Sequence, residues 1–464
     1  MVCIVGNKIE VINPTSEVIR WCRDNLVLRN PEYDKKIRMG LWVGNTPENI
    51  CLYEKDGEKL VLPFGCIEKL MTEWPEIPFK SRIRPPQPFS VRSNINLYPY
   101  QRKAVNEALK HRNGVLVMPC GAGKTQTALQ IIARLGVKTL WLTHTQDLLN
   151  QSLNRAKSVL SCDPKSYGTI TDGKVNIGSG ITFATVQTMA KLDLSQYKDS
   201  FSCVIVDECH KAIGSPTKVM QFYKVLSNLS CRCKFGLTAT PKRADGLQAA
   251  MFALLGGIIC EIPKSEVADT TCPVEVQFVN TGYMPDIDVV LAGDGTLNYA
   301  SLVDDLTHNK DRFEAVMNAL VNIPLGQPVL VLANRVEYLQ RLCAAYTERQ
   351  IGEAICLSAM GNSKSAKEAR KQALNALNTG ELDCVFATYQ LAKEGLDVPN
   401  LRYVVFATPE KDETTVMQAA GRVGRKADGK DKGTVIDFVD SFGMFSGWKK
   451  KRMKVYKQLD YEIY

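Results

Sequence analysis

No stretch of this chain approaches the roughly eighteen uninterrupted apolar residues that a membrane helix needs. The apolar start over residues 1–5 is broken at once by Gly6, Asn7 and Lys8, so no membrane span and no export are expected, and a cytoplasmic location in a bacterial or phage-infected cell is. Histidine is scarce, at four residues (His111, His144, His210 and His308), and the closest cysteine pair, Cys231 and Cys233, has one residue between, which is not a zinc or iron–sulfur spacing. The 15 cysteines are odd in number and scattered over 464 residues, which fits reduced thiols better than a disulfide framework. No short-period repeat is visible, and ordinary glycine and proline contents (32 and 21) exclude a collagen-like or mostly disordered chain.

What is present is a globular composition, 45% hydrophobic and 23% charged, in a chain long enough for two or three domains. The net charge of +9 is uneven: residues 1–92 carry 14 basic and 12 acidic groups, residues 93–268 carry 21 and 11, and the remainder 23 and 26. A basic surface on the second segment suits a polyanion, although a solvated face reads equally well. The first segment opens with MVCIV and KIEVI around Gly6-Asn7, a hairpin pattern, followed by a short helix capped by Thr15 or Ser16, and a second hairpin turning at Asp56-Gly57. This is a small α+β domain, residues 1–74. Pro75, Pro78, Pro85, Pro86 and Pro88 then favour an extended strap over 75–96.

Beyond the strap, β-type runs alternate with helical patterns: VLVMP, TLWLT, ITFAT, CVIVD and KFGLT, then PVLVLA, AICLSA, DCVFAT, YVVFA and GTVIDF. Apolar runs with polar residues at their C-terminal ends indicate parallel sheets, so the fold class is α/β with two doubly wound lobes, residues 97–268 and 301–464, joined by a connector over 269–300.

VLVMP leads into Cys120, Gly121, Ala122, Gly123, Lys124 and Thr125, and then into a helical pattern. Glycines allow backbone N–H groups close to a phosphate, a helix N-terminus favours negative charge, Lys124 reaches the β and γ oxygens and Thr125 can ligate magnesium. The full phosphate-loop pattern calls for glycine at position 118, where this chain has Met118. Downstream, CVIVDECH sets Asp207 and Glu208 at a strand end, where one carboxylate can hold magnesium through water and the other polarise the attacking water.

LYPYQ, MPCGAGKT, LWLTHTQDLL, ITFATVQTM, VDECH, GLTATP, VLVLANR, ATYQLAKEGLDVP and QAAGRVGR stand in this order over roughly residues 97–445. The chain thereby resembles the superfamily 2 helicases and translocases, with two RecA-like lobes. The resemblance implies ATP and Mg2+. It implies that Gln101 reads the adenine edge, that Cys120 to Thr125 hold phosphate, that Thr125 and Asp207 hold the metal and that Glu208 activates water. From the second lobe it implies Gly395 and Asp397 near the ribose and γ-phosphate, Gln418 near the attacking water, and Arg422 and Arg425 as arginine fingers, three apart on one helix. His144, Thr185, Gln187, Thr188, Arg335 and Thr388 would line a nucleic-acid track, gripping phosphates without reading sequence, and Thr238 and Thr240 would couple it to hydrolysis. His144 reads equally as an interior or capping histidine, and the threonines as local backbone partners.

DECH rather than DEAD, with ITDGK, DECHK and GLTATPKRADGL, looks like the DNA-acting DExH group that includes the xeroderma pigmentosum group B helicase, restriction-type translocases and the phage branch-migration helicase UvsW. Arg243-Ala244-Asp245 stands where the group B family has Arg-Glu-Asp, and no nuclease motif is evident. The tail GWKKKRMKVYKQ reads as a final amphipathic helix packing Trp448, Met453, Val455 and Tyr456, whose lysines partly face phosphates, with a nucleic-acid contact or a nuclear signal as the alternatives. The expectation is a monomeric ATP-dependent translocase that remodels forked or branched DNA, with replication or recombination proteins as partners. Its alternatives are an RNA or hybrid helicase, an ATP-gated DNA clamp or sensor, and a restriction-type translocase subunit.

Overall fold

Gly6 and Asn7 turn the chain between strands Val2–Val5 and Lys8–Ile12, which pair antiparallel with Val5 opposite Ile9. The computed structural model describes every residue except 112, 120, 172, 211–215, 240–247, 292–295, 362, 394, 395 and 397, and omits the side chains of 216–220, 268–270, 364, 393 and 414. Two units result, residues 1–267 and 268–464.

In the first unit, the hairpin joins Glu54–Asp56, Lys59–Pro63 and Phe79–Ser81 in a five-stranded sheet. Helix Ser16–Asn25 starts at Thr15, whose hydroxyl accepts from the Val18 amide, and buries Val18 and Cys22. Phe79–Ser81 runs parallel to the first strand, and the Cys3 amide donates to the Pro78 carbonyl. Proline lacks an N–H, yet its carbonyl still accepts, so it can stand beside a sheet edge.

The eight-stranded sheet of the same unit orders its parallel strands Tyr167–Thr171, Ile181–Thr185, Thr139–Thr143, Cys203–Val206, Cys233–Thr238, Asn113–Val117 and Ile258–Glu261, with Lys174–Asn176 antiparallel at one edge. Side chains alternate across it: Leu140 and Leu142 join one apolar core while Trp141 joins the other. Both faces are therefore covered, which is why the strands read as continuous apolar runs. The core holding Leu140 also contains Cys3, Ile9, Leu62 and Leu70 of the N-terminal sheet domain, so that domain and the lobe share one apolar interior. The Asn7 side chain donates to the Ser227 carbonyl across the same junction.

Lys234 lies fully buried at this junction, donating to the Leu226 carbonyl at 2.7 Å with its ammonium 4.6 Å from the centre of the Phe64 ring. Burial pushes it from the ordinary 10.5 down to about 8, against a smaller opposing effect of Cys231. Between those two values the unfolded chain binds the extra proton, so this residue makes stability rise with pH across that window, by about 3 kcal/mol in all. In urea melts at pH 7.5 and 10, wild type is expected to gain stability relative to Lys234→Met; parallel behaviour of the two proteins contradicts it.

In the second unit seven parallel strands follow the order Ala354–Cys356, Cys384–Thr388, Val329–Ala333, Tyr403–Phe406, Gly433–Val439, Val274–Asn280 and Glu462–Ile463. Val274–Asn280 thus corrects the expected connector: it pairs along its full length with Gly433–Val439 and is an interior strand of the second sheet. Leu330 and Leu332 face one core and Val329, Val331 and Ala333 the other.

The C-terminal helix Gly443–Gln458 buries Phe445, Arg452, Val455 and Tyr456. Arg452, one cation of the basic tail, is a core residue. Its guanidinium makes two 2.8 Å hydrogen bonds to the Asp437 carboxylate, which also accepts from the Tyr456 hydroxyl. A buried pair broken on one side strands the other charge, so Arg452→Ala is expected to destabilise this unit by about 3 to 5 kcal/mol in denaturant melts, whereas exposed Lys450→Ala stays within about 0.5 kcal/mol. Equal effects of the two would contradict this.

Candidate active site

Every parallel strand of the first unit delivers its C-terminal end to the same edge of the sheet. After Asn113–Val117 the chain passes Gly121 and Gly123, both left-handed (φ +82° and +72°), and Lys124 opens helix Lys124–Leu135. A side chain at 123 would meet more than conformational strain: its Cβ would lie 2.4 Å from Gln101 Nε2. Gln101 is buried, its amide donating to the Ala122 carbonyl and its oxygen accepting from the Tyr98 amide, both at 3.0 Å. Gln101 therefore holds the loop that carries Lys124. Met118, where the pattern calls for glycine, is buried and its amide donates to the Thr238 carbonyl.

The strand Cys203–Val206, at the centre of the sheet, ends in Asp207 and Glu208. The Asp207 amide donates to the Leu142 carbonyl on one neighbouring strand, and its carboxylate accepts from the Glu208 amide at 3.0 Å. Glu208 adopts φ +48°, a left-handed conformation uncommon outside glycine, and strain of this kind concentrates at functional sites. Its carboxylate lies 3.5 Å from Lys124 Nζ and 3.3 Å from His210 Nδ1. His210 Nδ1 is also 2.9 Å from the Thr238 hydroxyl. The ring nitrogen carries at most one proton, so it can donate to Glu208 or to Thr238, not to both. His210 is the member of this group that residue-type reasoning missed; its place in DECH, two positions past Glu208, was the available signal.

The nucleic-acid candidates of this unit also come together. Thr143 stands opposite Thr185 in the sheet. Thr185 caps helix Val186–Met189 through the Thr188 amide and bonds the Thr188 hydroxyl at 2.8 Å, and the Gln187 amide donates to the His144 carbonyl at 3.0 Å. These contacts order the two loops on each other. The phosphate-loop strand and the Thr185 strand lie on opposite sides of the DECH strand, so the strand ends place the carboxylates between the two groups.

In the second unit, Thr388 ends a strand and caps the following helix through the Leu391 amide. Arg335 is ion-paired with Asp304 at 2.9 Å. Gln418 and Arg422 lie on helix Glu413–Val423, which ends before Arg425. The expectation of one shared helix face is thus corrected: Arg425 forms an isolated bridge with Thr271 instead. The Arg422 guanidinium is buried and donates to the carbonyls of Ala392 and Leu396. Cys120, Thr240, Arg243, Ala244, Asp245, Gly395 and Asp397 lie outside the described residues.

Thr125 and Asp207 offer a hydroxyl and a carboxylate, hard oxygen donors of the kind Mg2+ accepts in ones and twos while water and phosphate complete its shell, so the donor set fits that ion. Among the described residues no helix is long and apolar enough to cross a membrane.

Residues 94–243 match the family model of the res subunit of type III restriction enzymes, and residues 311–427 that of the helicase conserved C-terminal domain. The chain is a superfamily 2 helicase of the DExH type. A putative ATP-dependent RNA helicase of Acanthamoeba polyphaga mimivirus is 26% identical to this helicase over 382 residues, 79% of this chain and 69% of the relative. The DNA 3′-5′ translocase XPB2 of Sulfurisphaera tokodaii is 26% identical over 370 residues, 73% of this chain and 80% of the relative. Among solved structures, the ATP-dependent type ISP restriction-modification enzyme LlaBIII bound to DNA shares the fold, with a TM-score of 0.58 at 17% identity over 84% of this chain and 32% of that one. The activity of this helicase is accordingly ATP-driven translocation on, or unwinding of, nucleic acid.

Proposed function

We propose that this helicase acts on DNA and remodels forked and branched duplexes, with strand separation following from movement. One observation carries the reading: the N-terminal sheet domain shares a continuous apolar core with the ATP-binding lobe, so the two move as one body. A domain fixed in this way transmits any displacement of the lobe to the duplex ahead of it. The basic excess over residues 93–268 supports a polyanion track, and the similarity to a DNA translocase favours DNA.

In this reading Lys124 and the loop amides hold the ATP phosphates, Thr125 and Asp207 hold Mg2+, Glu208 orients the attacking water, and Gln418, Arg422 and Arg425 complete the hydrolytic set. Magnesium, when bound, neutralises charge on the phosphates. His144, Thr185, Gln187, Thr188, Arg335 and Thr388 contact the polymer backbone, and Thr238, through His210, links that contact to Glu208. The similarity to a putative RNA helicase supports RNA as the second reading.

Steady-state ATPase decides between them when it is measured without polymer and with single-stranded DNA, duplex, fork, four-way junction and structured RNA at one fixed low salt concentration. Strongest stimulation by forks or junctions is expected. Strongest stimulation by RNA overturns the substrate assignment and leaves the ATP site untouched.

A further inference from the structure

The most exposed large apolar side chain among the described residues is Trp42, at 87%. It stands with Ile37, Met39 and Leu41, each more than half exposed, at the end of an ordered excursion from the N-terminal domain. Strands Val27–Arg29 and Asn49–Cys51 close the base of this excursion as an antiparallel pair. Between them lie helix Pro31–Arg38 and a loop over 39–48.

The neck is locked. Asn30 is buried; its amide N–H donates to the Glu48 carbonyl at 3.0 Å, its side chain donates to the Pro47 carbonyl at 2.7 Å, and its oxygen caps the helix at Glu32. Arg29 pairs with both Asp34 and Glu48, and Lys36 Nζ donates to the Thr46 hydroxyl at 2.6 Å. The tip is built to present its ring as well. Gly44 is left-handed (φ +51°), a conformation that favours glycine, and a Cβ there would lie 2.8 Å from the Trp42 indole. An ordered neck that holds four large apolar side chains in water marks a surface that something covers.

The charge pattern selects the occupant. Residues 35–46 contain Lys35, Lys36 and Arg38 and no acidic residue, while the carboxylates of the excursion, Glu32, Asp34 and Glu48, lie toward its neck, where Arg29 pairs with the last two. Cations beside an exposed indole suit an unpaired nucleobase flanked by phosphates: the ring offers a stacking face to any base, and the cations hold the backbone. Apolar side chains such as Met39 and Leu41 beside it suit insertion at a disrupted base step.

We propose that the loop over 39–48 is a nucleic-acid wedge, with Trp42 stacking on an unpaired base at a branch point and Lys35, Lys36 and Arg38 contacting the adjoining phosphates. This deepens the proposed function and rests on it. The test uses the full chain as wild type, Trp42→Ala and Trp42→Phe, titrated by fluorescence anisotropy onto a labelled fork and a fully paired duplex of equal length. The ratio of fork to duplex affinity is expected to fall roughly tenfold in Trp42→Ala, and the ring of Trp42→Phe to restore most of it. Thermal melting verifies the fold of each variant. An unchanged ratio in a folded Trp42→Ala overturns the wedge. So does a variant that alters only the concentration dependence of self-association, since the patch is then a protein-binding surface. Failure of wild type to bind or respond to any nucleic acid instead overturns the functional reading itself, an outcome visible before any variant is compared.

Discussion

Lys124→Ala is expected to remove ATP turnover, by roughly 10²- to 10³-fold or more, while binding of the nucleic-acid polymer is largely kept. Lys124 begins the helix after the phosphate loop, and its ammonium is 3.5 Å from Glu208, so in the proposed site one substitution removes a cation both from the phosphates and from the carboxylate assigned to the attacking water. The nucleic-acid candidates His144, Thr185, Gln187 and Thr188 sit on other strands, held by contacts of their own. Loss of hydrolysis with retained polymer affinity is therefore the signature, read by steady-state ATPase and anisotropy on the same preparation. Normal turnover removes the phosphate-loop assignment.

Arg422→Ala is expected to leave nucleotide bound and slow its hydrolysis by roughly 10³-fold or more, the size of an arginine-finger loss. The same guanidinium braces the chain by donating to the Ala392 and Leu396 carbonyls, so a lower melting temperature is expected too. Arg422→Lys separates the two roles only in part, because an ammonium cannot present the planar fork that spans two acceptors. The deciding comparison is nucleotide affinity against single-turnover rate. A matching loss of both contradicts the finger role.

The parts of the fold that were legible in the sequence are those written in local pattern. Continuous apolar runs ending in polar residues gave the parallel sheets, because a strand covered on both faces has no alternation to show. Thr15 or Ser16 before a helical stripe gave the first helix, and Gly6-Asn7 the first hairpin; the structure settles the cap on Thr15. What stayed hidden depends on partners far along the chain. Arg452 reads as one more cation in a basic run, and only Asp437 on a neighbouring strand makes it a core residue. Val274–Asn280 reads as a connector because its partner strand begins at Gly433, more than 150 residues later.

The site divides in the same way. The phosphate loop and DECH are contiguous motifs and were legible; the chain Lys124, Glu208, His210, Thr238 joins three strand ends and was not. The left-handed Glu208 has no sequence signature at all, since glutamate rarely adopts that conformation. Gln101 stands in LYPYQ, where the resemblance implies the adenine edge, but its hold on the Ala122 carbonyl needed the fold.

The central claim is that hydrolysis at the Lys124–Glu208 site drives rearrangement of branched DNA. Its most direct measurement follows product formation from a labelled replication-fork substrate with ATP, with a non-hydrolysable analogue, and with ATP and Lys124→Ala. Rearranged DNA is expected only with wild type and ATP, in proportion to ATP consumed. ATP turnover stimulated by the fork without any rearranged product would contradict it.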